Sequence, residues 1–324
     1  MKIAITGATG YIGTVLTPLL LAQGHQLSIH VRKTQPPANG VTYVYGSLLD
    51  PDFVATFVAG MDAVIHMAAV ISVSDTPDME AFHFNTTTTR LLAEASQQAS
   101  VRRFLYISSI TAYEQAPYDM PMDETRPYTQ AMRYSYDHSK AVAQEAAMAC
   151  NGPQLEVIAL APTAVIGPFD RRPSLIGDAV VRIYQGKIPA IFPGGVDFVD
   201  VREVAQAVSR ALTAGTPGQA YILSGEWMTL KTLSAHIAQT KGKRIFLPVL
   251  PLWLVMGLLP LVRALGRLTG GAPFYTRQSI YNLIRSNRKI DSSKAARELG
   301  FRPGSLAGTL QDTIVWFKEN KMLP

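Results

Sequence analysis

A single cysteine, Cys150, stands in 324 residues. Its isolation excludes an internal disulfide framework and any multi-cysteine metal site, and it fits a reducing compartment. No metal is expected. Charged side chains are sparse as well, at 17% against 48% hydrophobic, which places the chain at the apolar end of the globular range. No secretory signal is visible, because the first apolar segment is interrupted by glycines and lacks a charged leader; a cytoplasmic location is expected. Internal repeats and low-complexity tracts are absent. So is an unbroken apolar run long enough to span a bilayer. The nearest approach is Ile245–Val262, 18 uncharged residues broken by Pro248, Pro251 and Pro260. Lys241, Lys243 and Arg244 precede it, and Arg263 and Arg267 follow. The favoured reading is a buried helix roofing a substrate pocket; the weaker one is peripheral contact of 245–267 with a lipid surface.

Acidic charge is scarce in the C-terminal quarter. Residues 1–240 hold 16 basic and 20 acidic side chains, whereas residues 241–324 hold 14 and 4. The overall charge of +6 therefore belongs to the end of the chain. Nucleic acid is not the expected partner, since these cations are spread among apolar residues and no nucleic-acid motif accompanies them.

What is present begins at residue 2. KIAITGATGYIG is a short apolar strand running into Gly7, Gly10 and Gly13. From Tyr11 to Gln23 apolar residues recur at helical spacing, so the glycines sit on a strand-to-helix turn. Glycine there accepts positive φ and lets backbone approach a ligand, and the helix start offers N–H groups to a diphosphate. The spacing is G-x-x-G-x-x-G, not the commoner G-x-G-x-x-G.

Strand and helix patterns then alternate. Gln26–Arg32, Val41–Tyr45, Ala63–Ala68, Arg103–Ser108 and Leu155–Ala161 read as strands. Asp52–Ala59, Glu80–Gln98 and Tyr134–Cys150 read as helices. The expected fold is α/β: a Rossmann-like, doubly wound parallel sheet in residues 1–167, followed by a smaller, mostly helical substrate lobe in 168–324. Segments of that lobe are expected to return to the main sheet. Helices are expected there at 174–186, 202–213, 229–240, 252–267 and 306–319, with a strand at Ala220–Leu223. Gly7, His66 and Ser109 fall at strand ends, where such sheets bind ligands, and are expected to face one crevice.

Tyr136 and Lys140 form Y-x-x-x-K, one helical turn apart and on one face. An ammonium near a phenol favours the phenolate and lowers a Tyr pKa from about 10, giving a usable proton donor or acceptor. The second strand ends His30-Val31-Arg32-Lys33. An acid there would bind an adenosine ribose, whereas Arg32 and Lys33 suit a 2′-phosphate, so NADP is expected over NAD.

Together these segments resemble the extended branch of the short-chain dehydrogenase/reductase superfamily, along nearly the whole chain. TGATGYIG at 6–13 looks like its cofactor turn, DAVIHMAA at 62–69 its D-x-x-x-H-x-A-A segment, and FLYISSITAY at 104–113 the strand ending in a catalytic serine. FNTTTTRLLAEA at 84–95 is similar to N-x-x-G-T-x-x-L-L-E-A, with Thr88 for glycine. YDHSKAVAQE at 136–145 follows in order. APTAVIGP at 161–168 has Ala161 for arginine, and Ser47 stands where the branch usually has Asp. FVDVREVA at 198–205 matches a later segment. Dihydroflavonol-reductase-like and 3β-hydroxysteroid-dehydrogenase-like members are the most similar.

The resemblance implies an NAD(P)-dependent enzyme. Tyr136 would exchange a proton with the substrate oxygen, Lys140 would bind the nicotinamide ribose, and Ser109 would hydrogen-bond the carbonyl, with Ser108 structural. Gly7, Thr9, Gly10, Tyr11, Ile12, Gly13, Ala68 and Pro162 would line the cofactor with Arg32, Lys33, Tyr136 and Lys140. Asn85 reads as structural, and His66 is open between cofactor contact and a satisfied histidine in a tight turn. The expected reaction interconverts a ketone or aldehyde and an alcohol on a mostly apolar small molecule. Alternatives are a nucleotide-sugar epimerase or dehydratase, and a non-catalytic nucleotide-binding regulator. Many relatives dimerise through the helices carrying Asn85 and Tyr136, which keeps a homodimer open here.

Overall fold

Alternate residues of each central strand face opposite ways, and each face is apolar. Ile3, Ile5, Leu105, Ile107, Ile158 and Leu160 pack on one side with Leu16, Leu20, Val204 and Val208. Ala4, Val64, Phe104, Tyr106, Val157 and Ala159 pack on the other with Val54, Phe57, Leu92 and Ala147. A strand covered on both faces reads as a continuous apolar run, which is why these segments were legible. The computed structural model describes residues 1–72, 76–130, 135–259 and 277–324.

The strands are β1 (Lys2–Thr6), β2 (Gln26–His30), β3 (Val41–Val44), β4 (Ala63–His66), β5 (Arg103–Ile107), β6 (Glu156–Pro162) and, later, β9 (Gln219–Leu223). They form one parallel sheet in the order β3-β2-β1-β4-β5-β6-β9. Helix α1 (Tyr11–Ala22) lies on one face with α6 (Val201–Ala211); α2 (Pro51–Val58), α3 (Met79–Gln98) and α4 (Ser135–Ala149) lie on the other. This is the Rossmann-like α/β architecture. The sheet reverses direction of growth between β1 and β4, the kind of switch point at whose strand ends such sheets bind ligands.

Local chemistry sets the helix starts. The Asp50 side chain caps α2 ahead of Pro51, Asp78 caps α3 through the Ala81 N–H, and Asp200 caps α6 through the Arg202 N–H. The expected start of α4 at Tyr134 lies outside the described residues. Buried Arg103 donates to Glu156 at 2.5 Å and to the carbonyls of Ala211 and Ala214, tying β5 to the end of α6.

The helices expected at 174–186, 202–213, 229–240 and 306–319 and the strand at Ala220–Leu223 are present within two residues of their expected bounds, and three strands that were not expected join them. β7 (Ala164–Ile166), β8 (Gly195–Asp200) and β10 (Glu226–Thr229) make a second sheet, ordered β10-β8-β7. Its strands were hidden in the sequence because β8 buries Asp197 and Asp200 among its apolar residues, so neither alternation nor an apolar run appears. Helices α5 (Leu175–Gln185), α7 (Leu230–Lys241), α9 (Arg277–Ile284) and α11 (Leu306–Glu319) pack around this sheet on a separate core. α9 and α10 (Ser293–Leu299) had no counterpart in the sequence reading. Ala295 and Leu299 of α10 join the core of the main sheet, beside β9.

Of the expected helix 252–267, residues 252–259 are helical (α8) and the remainder lies outside the described residues. A buried roof is not what α8 forms: Trp253 is 74% exposed, and Leu252, Met256 and Leu258 are exposed with it. Among the described residues no helix is long and apolar enough to cross a membrane.

Candidate active site

Two glycines of the first turn, Gly7 and Gly13, have a clear steric reason. Gly7 has φ +78, and a Cβ there would lie 2.6 Å from the Ala68 nitrogen at the end of β4. A Cβ on Gly13 would meet the Ala8 backbone at 2.4–2.5 Å, so the helix can seat against the turn only without one. The Gly10 N–H donates to the Gly7 carbonyl at 2.9 Å, and no side chain caps α1 at Gly10. Thr9 and Gly10 are exposed at the lip. The turn is a cradle of backbone that any side chain would fill, which fits a diphosphate at a helix start. The Tyr11 hydroxyl donates to the Gly167 carbonyl at 2.6 Å. Burial, with Asp170 and Asp200 nearby, pushes that phenol above its ordinary range. Ile12 is half-buried at the start of α1, and Pro162 is buried at the end of β6.

β2 ends at His30, two residues earlier than expected, so Arg32 and Lys33 lie beyond the strand and are exposed. They follow the strand hydrogen-bonded to β1, on the edge where Gly7 turns.

His66 is fully buried at the end of β4 and satisfied at both ring nitrogens. Nδ1 is 2.6 Å from the Thr6 hydroxyl and Nε2 is 2.9 Å from that of Thr89. Thr89 donates to the Asn85 carbonyl at 2.7 Å, so its oxygen receives the Nε2–H; the Thr6 hydroxyl then donates to Nδ1. Burial, with Lys140 and His30 nearby, pushes the His66 pKa down to about 3. His66 is thus a neutral strut between β1 and α3. Asn85 is a second strut. Its side chain accepts from the Val70 N–H at 2.8 Å and donates to the Val70 carbonyl and the Ser139 hydroxyl, each at 3.0 Å.

Beyond β5, Ser109 caps a single 3-10 turn, Ile110–Ala112. Its hydroxyl lies 2.9 Å from that of Thr111 and also interacts with the Tyr136 phenol. Ser108 is buried, and its hydroxyl has no hydrogen-bond partner in the structure. Tyr136, on the first turn of α4, is half-buried. Burial raises its pKa above the ordinary phenol range, the neighbouring Asp137 raises it further, and Ser109 draws it partly back. This reverses the expected lowering. The Lys140 ammonium points to the Ile107 carbonyl at 2.6 Å and sits 4.6 Å above the Tyr106 ring. Burial without a carboxylate partner brings its pKa down to about 7.

Sequence reasoning passed over Asp137. Its carboxyl is buried beside Tyr136, one oxygen has no hydrogen-bond partner, and burial pushes its pKa up to about 7 while Thr111 draws it partly back. Only its position next to Tyr136 could have drawn attention to it.

The model of the NAD dependent epimerase/dehydratase family matches residues 3–224, which includes the glycine turn, β5 and α4. The chain belongs to that family. This family member is an NAD(P)-dependent enzyme of the extended short-chain dehydrogenase/reductase type. It is 30% identical to sterol demethylase protein B of Methylococcus capsulatus, over 100% of both chains. It is 26% identical to a 3-beta-hydroxysteroid dehydrogenase of Mycolicibacterium neoaurum, over 93% of this chain and 87% of that one. Among solved structures it is similar to PA4631, a nucleoside-diphosphate-sugar epimerase from Pseudomonas aeruginosa: TM-score 0.78, 25% identity, 100% of this chain and 99% of the other covered.

Proposed function

We propose that this enzyme is an NADP-dependent reductase that converts a ketone or aldehyde on a mostly apolar small molecule to the alcohol, reversibly. The observation that carries the reading is the packing of the 3-10 turn capped by Ser109 against α4, which carries Tyr136 and, one turn along, Lys140. Residues 1–167 serve the cofactor and 168–324 the substrate. The backbone of Gly7–Gly13 receives the diphosphate, with Thr9, Gly10, Tyr11 and Ile12 around it. Arg32 and Lys33 receive the 2′-phosphate. Ala68, Pro162, Tyr136 and Lys140 would hold the nicotinamide half. When bound, the nicotinamide supplies the hydride.

The remaining chemistry belongs to the protein. Ser109 donates a hydrogen bond to the substrate oxygen and holds it against Tyr136. A phenol kept protonated by burial is suited to giving its proton to that oxygen as negative charge develops. Lys140, oriented by the Ile107 carbonyl, keeps its other N–H groups for a ribose. The names of the two sequence relatives, a sterol-processing protein and a steroid dehydrogenase, support an apolar polycyclic substrate.

Titration with NADPH and NADH, followed by competitive turnover of polycyclic, isoprenoid and aromatic ketones against nucleotide sugars, tests the reading. Tighter NADPH binding and ketone reduction are expected. Tighter NADH binding overturns the 2′-phosphate assignment, and turnover of sugars alone overturns the substrate class.

A further inference from the structure

From Trp227 to Ile290 the sequence has no Asp or Glu, and it carries ten Lys and Arg. Within that stretch residues 245–259 are uncharged and apolar, and the structure divides them between two faces. Ile245, Leu247, Val255 and Leu259 pack into the core of the second sheet. A backbone bridge pins the segment there: the Ile191 N–H donates to Pro248 at 3.0 Å, and the Leu250 N–H to Ile191 at 2.8 Å. Phe246, Val249, Trp253 and Met256 point outward, 88%, 45%, 74% and 38% exposed. The outward face is therefore held in place by an anchored inward one. Lys243 and Arg244, both exposed, stand at its start.

A segment apolar on both faces is ordinarily buried in protein or in lipid, and one this short does not span. We infer that this face docks the enzyme onto an anionic lipid bilayer, with Phe246 and Trp253 entering the headgroup boundary and Lys243 and Arg244 meeting lipid phosphates. Aromatic rings beside cations, in an acid-free stretch, are the chemistry such a surface recognises. A second copy of this chain would bring the same cations against each other, which disfavours it as the occupant. The inference is independent of the redox reading, because its readout is binding.

The test is flotation of the purified full chain with vesicles of phosphatidylcholine alone and of phosphatidylcholine with phosphatidylglycerol. Flotation with the anionic vesicles, weakened by added salt, is expected. The double change Phe246→Ser, Trp253→Ser should lower the bound fraction about tenfold, and Lys243→Glu with Arg244→Glu should lower it comparably. All four positions are exposed, so the thermal midpoint should hold and a loss of binding can be separated from a loss of fold. Absence of flotation at low salt overturns the proposal, as does flotation that survives both double changes. Sedimentation as a dimer that the Phe246/Trp253 change converts to monomer also overturns it, assigning the face to a second copy.

Discussion

The Tyr11 hydroxyl donates to the Gly167 carbonyl across 2.6 Å, joining the glycine turn to the loop that follows β7. Gly167 has φ +147, and a Cβ there would meet Val201 at 2.8 Å and Asp200 at 3.2 Å, so α1, β7 and the start of α6 converge on this point. Tyr11→Phe removes the bond while keeping the ring. Cofactor affinity should fall by about tenfold and stability by roughly 1 kcal/mol, read by cofactor titration and urea denaturation. Unchanged affinity would mean that the loop holds its position without Tyr11.

Ser109 and Tyr136 should separate in their effects. Tyr136→Phe is expected to cut turnover by about 10²–10⁴ with cofactor affinity nearly intact, the scale of a lost general acid. Ser109→Ala should also lower kcat, since the hydrogen bond it would remove strengthens as charge develops on the substrate oxygen. Full activity in Tyr136→Phe would remove Tyr136 from the chemistry.

Asp137 gives a pH dependence with a definite sign. Its folded pKa, about 7, lies above the ordinary 3.8, so the folded chain holds the proton more tightly. That stabilising contribution is complete below the ordinary value and is lost as pH rises through about 7. Lys140 has its folded value lowered to about 7 from 10.5, so its contribution is complete above 10.5 and is lost as pH falls through about 7. Asp137→Asn removes the first dependence alone. The variant should exceed the parent in stability by roughly 1–3 kcal/mol at about pH 8, with the gap closing toward about pH 4. Denaturation midpoints across that range decide it, and a gap constant with pH would show that Asp137 does not titrate there.

His66 depends on Thr6 for the donor to its Nδ1. Thr6→Val leaves a buried ring nitrogen without a partner and also removes the hydroxyl that accepts from the Ala68 N–H. A loss of roughly 1–3 kcal/mol is expected from denaturation. Thr6→Ser keeps the hydroxyl and should recover most of it.

The parts of the site legible in the sequence are those where local covalent structure does the selecting. Gly7, Gly10 and Gly13 announce a turn because only glycine tolerates the φ at Gly7 and the backbone contact at Gly13. Tyr136 and Lys140 announce a shared helix face through their spacing. The main-sheet strands announce themselves because burial on both faces demands unbroken apolar runs. By contrast, β8 carries buried Asp197, which accepts from the Gly225 N–H at 3.0 Å, and Asp200, which accepts from Thr309 at 2.8 Å. Its polar residues find partners far along the chain, and no local pattern can reveal that.

By itself the sequence determined a parallel α/β sheet, a glycine cradle at its first strand and a Tyr–Lys pair on a later helix, since periodicity and backbone sterics act over a few residues. Tertiary structure decided the rest. It set the protonation of Tyr136, Asp137 and Lys140, because desolvation depends on what packs around a group and not on its neighbours in the chain. It made His66 a strut through Thr6 and Thr89. It also turned Trp253 and Phe246 outward, because an uncharged segment has no polar face of its own and only the core it packs against selects which side is left exposed.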